Sequence, residues 1–113
     1  MSDAEHRLVA YGSLLPGEVN HHELEGAGQG HWQPCVVRAK AGMVGPWRVI
    51  ELANDAPMIE AQLLTSPLLP QIWAGLDAFE GQAYKRVLCV ADTAEGPLEA
   101  YVYVASGLPA EDA

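Results

Sequence analysis

The sequence predicts a single α+β domain in which a many-stranded sheet curls into a small barrel beside one principal helix. Short apolar or alternating runs separated by turn residues account for most of the chain, and one apolar stripe recurs at helical spacing between Leu69 and Glu80. No linker or internal repeat divides the 113 residues, which fit one domain able to bury a core without staples. So many strands in so short a chain favour a sheet that curls and closes.

Residues 1 to 6 are polar and predict a loose start. Arg7 to Tyr11 then reads as a short, fully buried strand stopped by Gly12, and a loop runs from Gly12 to Asn20. Asn20 caps a single helical turn through His21, His22, Glu23 and Leu24, with Glu23 at the capping-box position. From His31 to Thr65 the pattern is β-like, in runs Cys35 to Ala39, Trp47 to Leu52 and Met58 to Leu64. Turn signals separate them at Gly42, Gly45-Pro46 and Asn54 to Pro57. Ser66-Pro67 opens the helix, a hydroxyl cap followed by proline at the first position, where its missing N–H is harmless. Leu69, Ile72, Trp73, Leu76 and Phe79 or Glu80 form its apolar stripe, and Gly81 ends it. Two strands close the chain, Tyr84 to Asp92 and Glu99 to Ala105, around a turn at Ala94 to Pro97. In the second, Ala100, Val102 and Val104 face away from Glu99, Tyr101 and Tyr103.

Charge narrows the partners. Fifteen acidic against six basic residues give a formal net charge of -9, which argues against nucleic acid and anionic membrane surfaces. No apolar run approaches the roughly 20 residues of a membrane helix and no signal region stands at the start, so a cytoplasmic protein is expected. Cys35 and Cys89 stand apart from each other and from any His cluster; they predict reduced core thiols, with no metal site. Gly26-Ala27-Gly28-Gln29-Gly30 has the look of a dinucleotide fingerprint but lacks the strand before it and the helix after it.

Glu80 is the carboxylate placed for chemistry. In the last turn of a helix it lies near the negative end of the macrodipole, and shielding by neighbours such as Phe79 would raise its pKa toward the range of a general base. Tyr11-Gly12-Ser13-Leu14 supplies a second half of a site, since a sharp turn after a buried strand points successive N–H groups into one concavity. Ser13 lies in no GxSxG elbow, and adjacent His21 and His22 diverge too far to share a metal. Tyr84 and Arg86, two apart on a strand, share a face and either brace Glu80 or line its pocket. Glu60 and Gln62 likewise share one face of their strand, either at the surface or along a cavity.

Together these segments are similar to a known family. Tyr11-Gly12-Ser13-Leu14, Gly17 and Asn20-His21-His22, followed far downstream by Leu76-Asp77-Ala78-Phe79-Glu80-Gly81, Tyr84 and Arg86, resemble the γ-glutamylcyclotransferase-like family, and Glu99 to Val104 resembles its last core strand. The resemblance spans roughly Leu8 to Ser106 of one domain covering 1–113. It implies a small mixed β-barrel with short flanking helical turns, and an acyl-transfer, lyase-type activity on a small γ-glutamyl substrate without cofactor or metal. The substrate's α-amino group attacks its own γ-carbonyl, releasing 5-oxoproline and an amine or amino acid. Glu80 would move the proton; the backbone of Gly12, Ser13 and Leu14 would hold the carboxylate or carbonyl, with Tyr11, Tyr84 and Arg86 lining the substrate. The chain departs from the family at Pro46-Trp47, where members commonly carry Tyr-Pro, and at Glu60-Ala61-Gln62, where a glycine is common. If Glu60 faces the cavity, it would favour a cationic leaving amine. A binding module that keeps the cavity without turnover, and hydrolysis through an activated water, are the competing readings; the sequence does not give an oligomeric state.

Overall fold

The computed structural model describes residues 3–28, 30–44 and 47–105, with the backbone alone for Val44 and Trp47. Strands β1 (Arg7–Ala10), β2 (His31–Val44), β3 (Trp47–Leu52) and β4 (Met58–Thr65) precede helix α1 (Trp73–Glu80), and β5 (Tyr84–Thr93) and β6 (Gly96–Ala105) follow it. Turns of 3₁₀ helix lie at Ala4–His6, His21–Ala27 and Leu69–Gln71.

Leu8, Val9 and Ala10 offer apolar side chains to both faces of β1, and all three are buried. A strand covered on both faces must give its backbone groups to neighbouring strands. It does so by pairing antiparallel with β4 and parallel with β6. The full order is β3-β2-β4-β1-β6-β5, and Val36 of β2 meets Asp92 of β5 to close the sheet. Five strands therefore form a barrel, while β3 extends β2 beyond it. One parallel pairing among antiparallel ones makes the barrel mixed, as expected.

Two apolar clusters follow from the alternation of β1. Val9 points inward to Val37, Ile50, Leu63, Ala91 and Val102, together with both free cysteines. Burial pushes the thiol of Cys35 up to about 11 and that of Cys89 to about 12, as expected for reduced packing residues. Leu8 and Ala10 point outward, where Leu64, Leu69, Trp73, Leu76 and Tyr103 form the layer that seats α1 against the barrel.

The structure corrects three local expectations. Residues 4–6 before β1 are tied down, residues 1 and 2 lying outside the described residues: Ala4 is buried, the Glu5 carbonyl accepts from Trp73 Nε1 at 2.9 Å, and the His6 carbonyl accepts from Ser66 N at 2.8 Å. Gly42 lies inside a long β2, opposite Val49, and Pro46 of the expected turn lies outside the described residues. The helix does not run from Ser66. Pro70 has no N–H for the Ser66 carbonyl and its ring clashes with it, so the segment closes as i→i+3 turns and α1 begins only at Trp73. Ser66 Oγ still accepts from Leu68 N at 3.1 Å and donates to the Ala27 carbonyl at 2.6 Å.

The glycine-rich stretch is structural. Gly28 ends the 3₁₀ turn, and a strand rather than a phosphate-binding helix follows. Gly30 has φ 45°, and a Cβ there would collide with the Leu64 side chain and stand 3.2 Å from the Thr65 carbonyl. Gly30→Ala should accordingly lower stability by about 1–3 kcal/mol, seen as a reduced urea midpoint at unchanged slope. Among the described residues no helix is long and apolar enough to cross a membrane.

Candidate functional site

At the end of β1 the chain leaves the sheet through Tyr11-Gly12-Ser13-Leu14, and the carbonyls of this turn are held from outside. Leu15 N donates to the Gly12 carbonyl at 3.1 Å, Asn20 N to that of Ser13 at 2.9 Å, and Arg48 Nη1 to that of Tyr11 at 3.0 Å. Asn20 Nδ2 also donates to Ser13 Oγ at 2.9 Å, and His21 Nδ1 donates to the Leu14 carbonyl at 2.9 Å. In a trans peptide the N–H points opposite to the carbonyl. The amides of Gly12, Ser13 and Leu14 thus face the other way, and among the described residues none of the three donates a turn or loop hydrogen bond.

These residues line a cavity of about 340 Å³, within the usual range for a small ligand. Glu80, Phe79 and Tyr84 stand in the same lining with Asn20, Arg48 and Tyr103. Gly12 does not adopt a left-handed backbone, so the expected conformational reason for this glycine does not hold. A Cβ there would meet Arg48 Cβ at 4.0 Å, an ordinary contact. What the missing side chain provides is open space in the lining.

Glu80 ends α1 because Gly81, at φ 75°, turns the chain away while its N–H returns to the Asp77 carbonyl at 3.2 Å. The carboxylate is half-buried, and burial raises its pKa to about 7. Among the described residues no hydrogen bond or ion pair engages it. Its charge is felt by Tyr11 and Tyr84, whose hydroxyls are raised first by burial and further by neighbouring negative charge including that of Glu80.

Three side chains fix the helix that carries this acid. Arg86 forks onto Asp77, Nε to Oδ1 at 2.9 Å and Nη2 to Oδ2 at 3.2 Å, and Tyr103 donates its hydroxyl to Oδ1 at 2.7 Å. The guanidinium lies 4.5 Å from the Trp73 ring centre and 4.8 Å from that of Tyr101. The Arg86 hydrogen bond holds the Asp77 carboxyl below its ordinary value against the opposing effect of burial, with help from Tyr103.

The structure brings Tyr11, Gly12, Ser13, Leu14, Tyr84 and Glu80 together at one cavity and leaves Arg86 out of its lining. Arg86 shares a strand face with Tyr84, but two residues further along β5 it passes the cavity and meets Asp77. It belongs to the support of α1. Tyr11 contributes its ring, because its hydroxyl donates inward to the Tyr103 carbonyl at 2.6 Å. Glu60 is exposed and borders a different surface groove with Gln62 and Asp92, so the expectation that it selects a cationic leaving amine falls. Asn20, Arg48 and Tyr103 are the polar lining residues that pattern reading did not assign to the site. A signal existed for Arg48, which alternation places on the same face of β3 as Ile50, a residue fully buried in the barrel.

A closed mixed barrel with a carboxylate and a turn of free amides at one cavity defines the class of fold. The family model described as gamma-glutamyl cyclotransferase, AIG2-like, matches residues 8–113, and the chain belongs to this family. Solved structures with the same fold include YkqA from Bacillus subtilis, at TM-score 0.70 and 21% identity over 88% of this chain and 35% of that one. An AIG2-like protein from Mus musculus matches at TM-score 0.66 and 15% identity over 92% of this chain and 80% of that one. A protein from Pyrococcus horikoshii matches at TM-score 0.67 and 14% identity over 91% and 80%. The chain thus spans about a third of the length of the Bacillus subtilis protein. A comparison with curated protein sequences finds no match.

A folded-state value of about 7 for Glu80, above its unfolded 4.5, means that the fold binds this proton more tightly than the unfolded chain does. The associated stability is complete below the unfolded value and is lost as pH rises through about 7. Glu80→Gln removes that loss. The variant should match wild type in thermal stability near pH 4 and exceed it above pH 8, on the order of 2 kcal/mol after allowance for partial exposure.

Proposed function

We propose that this chain is a γ-glutamyl cyclotransferase that converts a γ-glutamyl amide to 5-oxoproline and a free amine, with Glu80 as the proton shuttle. The observation that carries the reading is the pairing, at one cavity, of a carboxylate near pKa 7 with three amides, neither of which meets a hydrogen-bond partner among the described residues. The family to which the chain belongs supports the same chemistry.

In this mechanism Glu80, ionised, takes a proton from the substrate's α-ammonium group. The freed amine attacks the γ-carbonyl carbon, a carbon–nitrogen bond forms, and the carbonyl oxygen gathers charge. As the carbonyl re-forms, the bond to the leaving nitrogen breaks and that nitrogen takes the first proton back from Glu80; Glu80 then accepts the second proton from the ring nitrogen and passes it on, so the lactam keeps one N–H and the amine departs as an ammonium. Five ring atoms close within one molecule, so orienting a flexible chain in its cyclising pose supplies much of the rate, and proton transfer adds roughly 10²- to 10⁴-fold. The amides of Gly12, Ser13 and Leu14 hold the α-carboxylate of the γ-glutamyl group. Tyr11 and Tyr84 wall the reacting end, and the apolar Phe79 and Leu14 keep water from the scissile carbonyl. The scheme is cofactor-independent, since every proton is accounted for by Glu80 and substrate, and an acyl group passes from one nitrogen to another.

Incubation of purified protein with γ-glutamyl amino acids and amines, followed by mass spectrometry, tests the reading. Wild type should release 5-oxoproline and Glu80→Gln should lose at least about 10²-fold in kcat while still binding substrate. Release of free glutamate would instead indicate hydrolysis, and thermal stabilisation without product would indicate a binding module. Because the base must be ionised, kcat/KM should rise with pH through about 7. Gly12→Ala should leave stability within about 1 kcal/mol, given the ordinary contact its Cβ makes, yet lower kcat/KM at least tenfold by filling the lining.

A further inference from the structure

Of the six Lys and Arg residues in the chain, Arg48 is the one among the described residues that lines the cavity. Arg7 reaches Asp3 and the Glu99 carbonyl, Arg38 the Ala56 carbonyl, and Arg86 Asp77. Arg48 meets no carboxylate among the described residues in a protein whose acids outnumber its bases 15 to 6. One Nη1 hydrogen goes to the Tyr11 carbonyl. Among the described residues its other donors meet no hydrogen-bond acceptor; the guanidinium carbon lies 5.9 Å from the centre of the Tyr11 ring, and Arg48 is an exposed residue.

Arg48 adjoins the turn without duplicating its amides. It takes the Tyr11 carbonyl, and the Gly12 N–H of that same trans peptide points the opposite way. Guanidinium and turn amides therefore offer two places for anions. Tyr11 feels Glu80 as a charge that disfavours its ionisation and Arg48 as one that favours it, whereas Glu80 itself responds to burial alone. Tyr84 bridges the same span, with its hydroxyl donating to the Arg48 carbonyl at 3.0 Å. The base and the cation thus border the same cavity, with Tyr11 and Tyr84 adjoining both.

We propose that Arg48 is the specificity-determining residue of this site and binds the carboxylate of an amino-acid leaving group, making the preferred substrates γ-glutamyl amino acids rather than γ-glutamyl amines. The proposal rests on the cyclotransferase reading. Cyclisation folds the γ-glutamyl unit onto Glu80 and the turn amides, which leaves the rest of the lining, Arg48 included, to the leaving group. In an amino acid the carboxylate lies two bonds beyond the nitrogen released, and the guanidinium fork fits it in a bidentate way. The same charge opposes a polyamine or other cationic leaving group, so attraction and rejection act in one direction.

The test compares γ-glutamylalanine with γ-glutamylethylamide, which differ in the leaving-group carboxylate, in wild type, Arg48→Met, Arg48→Lys and Arg48→Glu. Wild type should favour γ-glutamylalanine by about 10- to 100-fold in kcat/KM, mainly through KM. Arg48→Met should abolish this preference, read as the ratio of the two kcat/KM values within each variant so that any loss common to both substrates through the Tyr11 carbonyl cancels; Arg48→Lys should restore part of it, and Arg48→Glu should favour γ-glutamylputrescine. An equal fall for both neutral and carboxylate-bearing leaving groups would place Arg48 on the γ-glutamyl carboxylate and overturn the proposal, as would no change for either. If wild type releases no 5-oxoproline, the cyclotransferase reading fails, and calorimetric affinities for the same two compounds still decide the role of Arg48. A preference for γ-glutamylalanine that Arg48→Met removes supports the subsite, and equal or absent binding of the two overturns it.

Discussion

Everything in this fold hangs on β1 being buried on both faces. Four residues pair with β4 on one side and β6 on the other, and their alternation assigns Val9 to the barrel interior and Leu8 and Ala10 to the layer beneath α1. A strand so enclosed has no freedom to shift register, because a slip of one residue would exchange the two apolar faces and break both ladders. Its end is therefore fixed in space, and so is the turn of amides that begins there. Function borrows the rigidity of the most constrained strand in the molecule.

The second fixed point is the end of α1. An eight-residue helix is too short to be stable by itself, and packing of Trp73 and Leu76 must hold it. Asp77 adds a directional clamp through Arg86 on β5 and Tyr103 on β6, so that the helix is tied to two strands of the barrel at once. Glu80 stands one turn beyond Asp77 on the same helix. Its half-burial raises its pKa with no ion pair needed, and a carboxylate in that state is suited to accept and return a proton near neutrality.

Side-chain placement on β3 and β5 shows how an edge element tunes a site. Strand β3 lies outside the closed ring of five and pairs only with β2 in the sheet, yet it carries Arg48 to the cavity. A strand that closure does not require can vary its residues without opening the barrel. In the proposed function, charge selection by Arg48 thereby sits on a different element from the proton transfer on α1.

Local chemistry made several features legible in the chain alone. Leu8-Val9-Ala10 has no polar residue to expose, so it reads as buried; Gly81 marks the helix end and places Glu80 in its last turn; Cys35 and Cys89 lie on alternating strands and read as packing thiols. Each depends on neighbours within a few residues, and so the sequence by itself determined the buried strand β1, the end of the helix and the two halves of the candidate site. Only the tertiary structure decided which side chains meet. Arg86 was expected beside Tyr84 in the cavity and is instead captured by Asp77, Trp73 and Tyr101, because the cavity covers one end of β5 and alternation says nothing of where along a strand it stops. Glu60 went to another groove and Arg48 entered the site because barrel closure sets which strand face, at which height, looks inward. That is a property of pairing between residues far apart in the chain, and no local pattern encodes it.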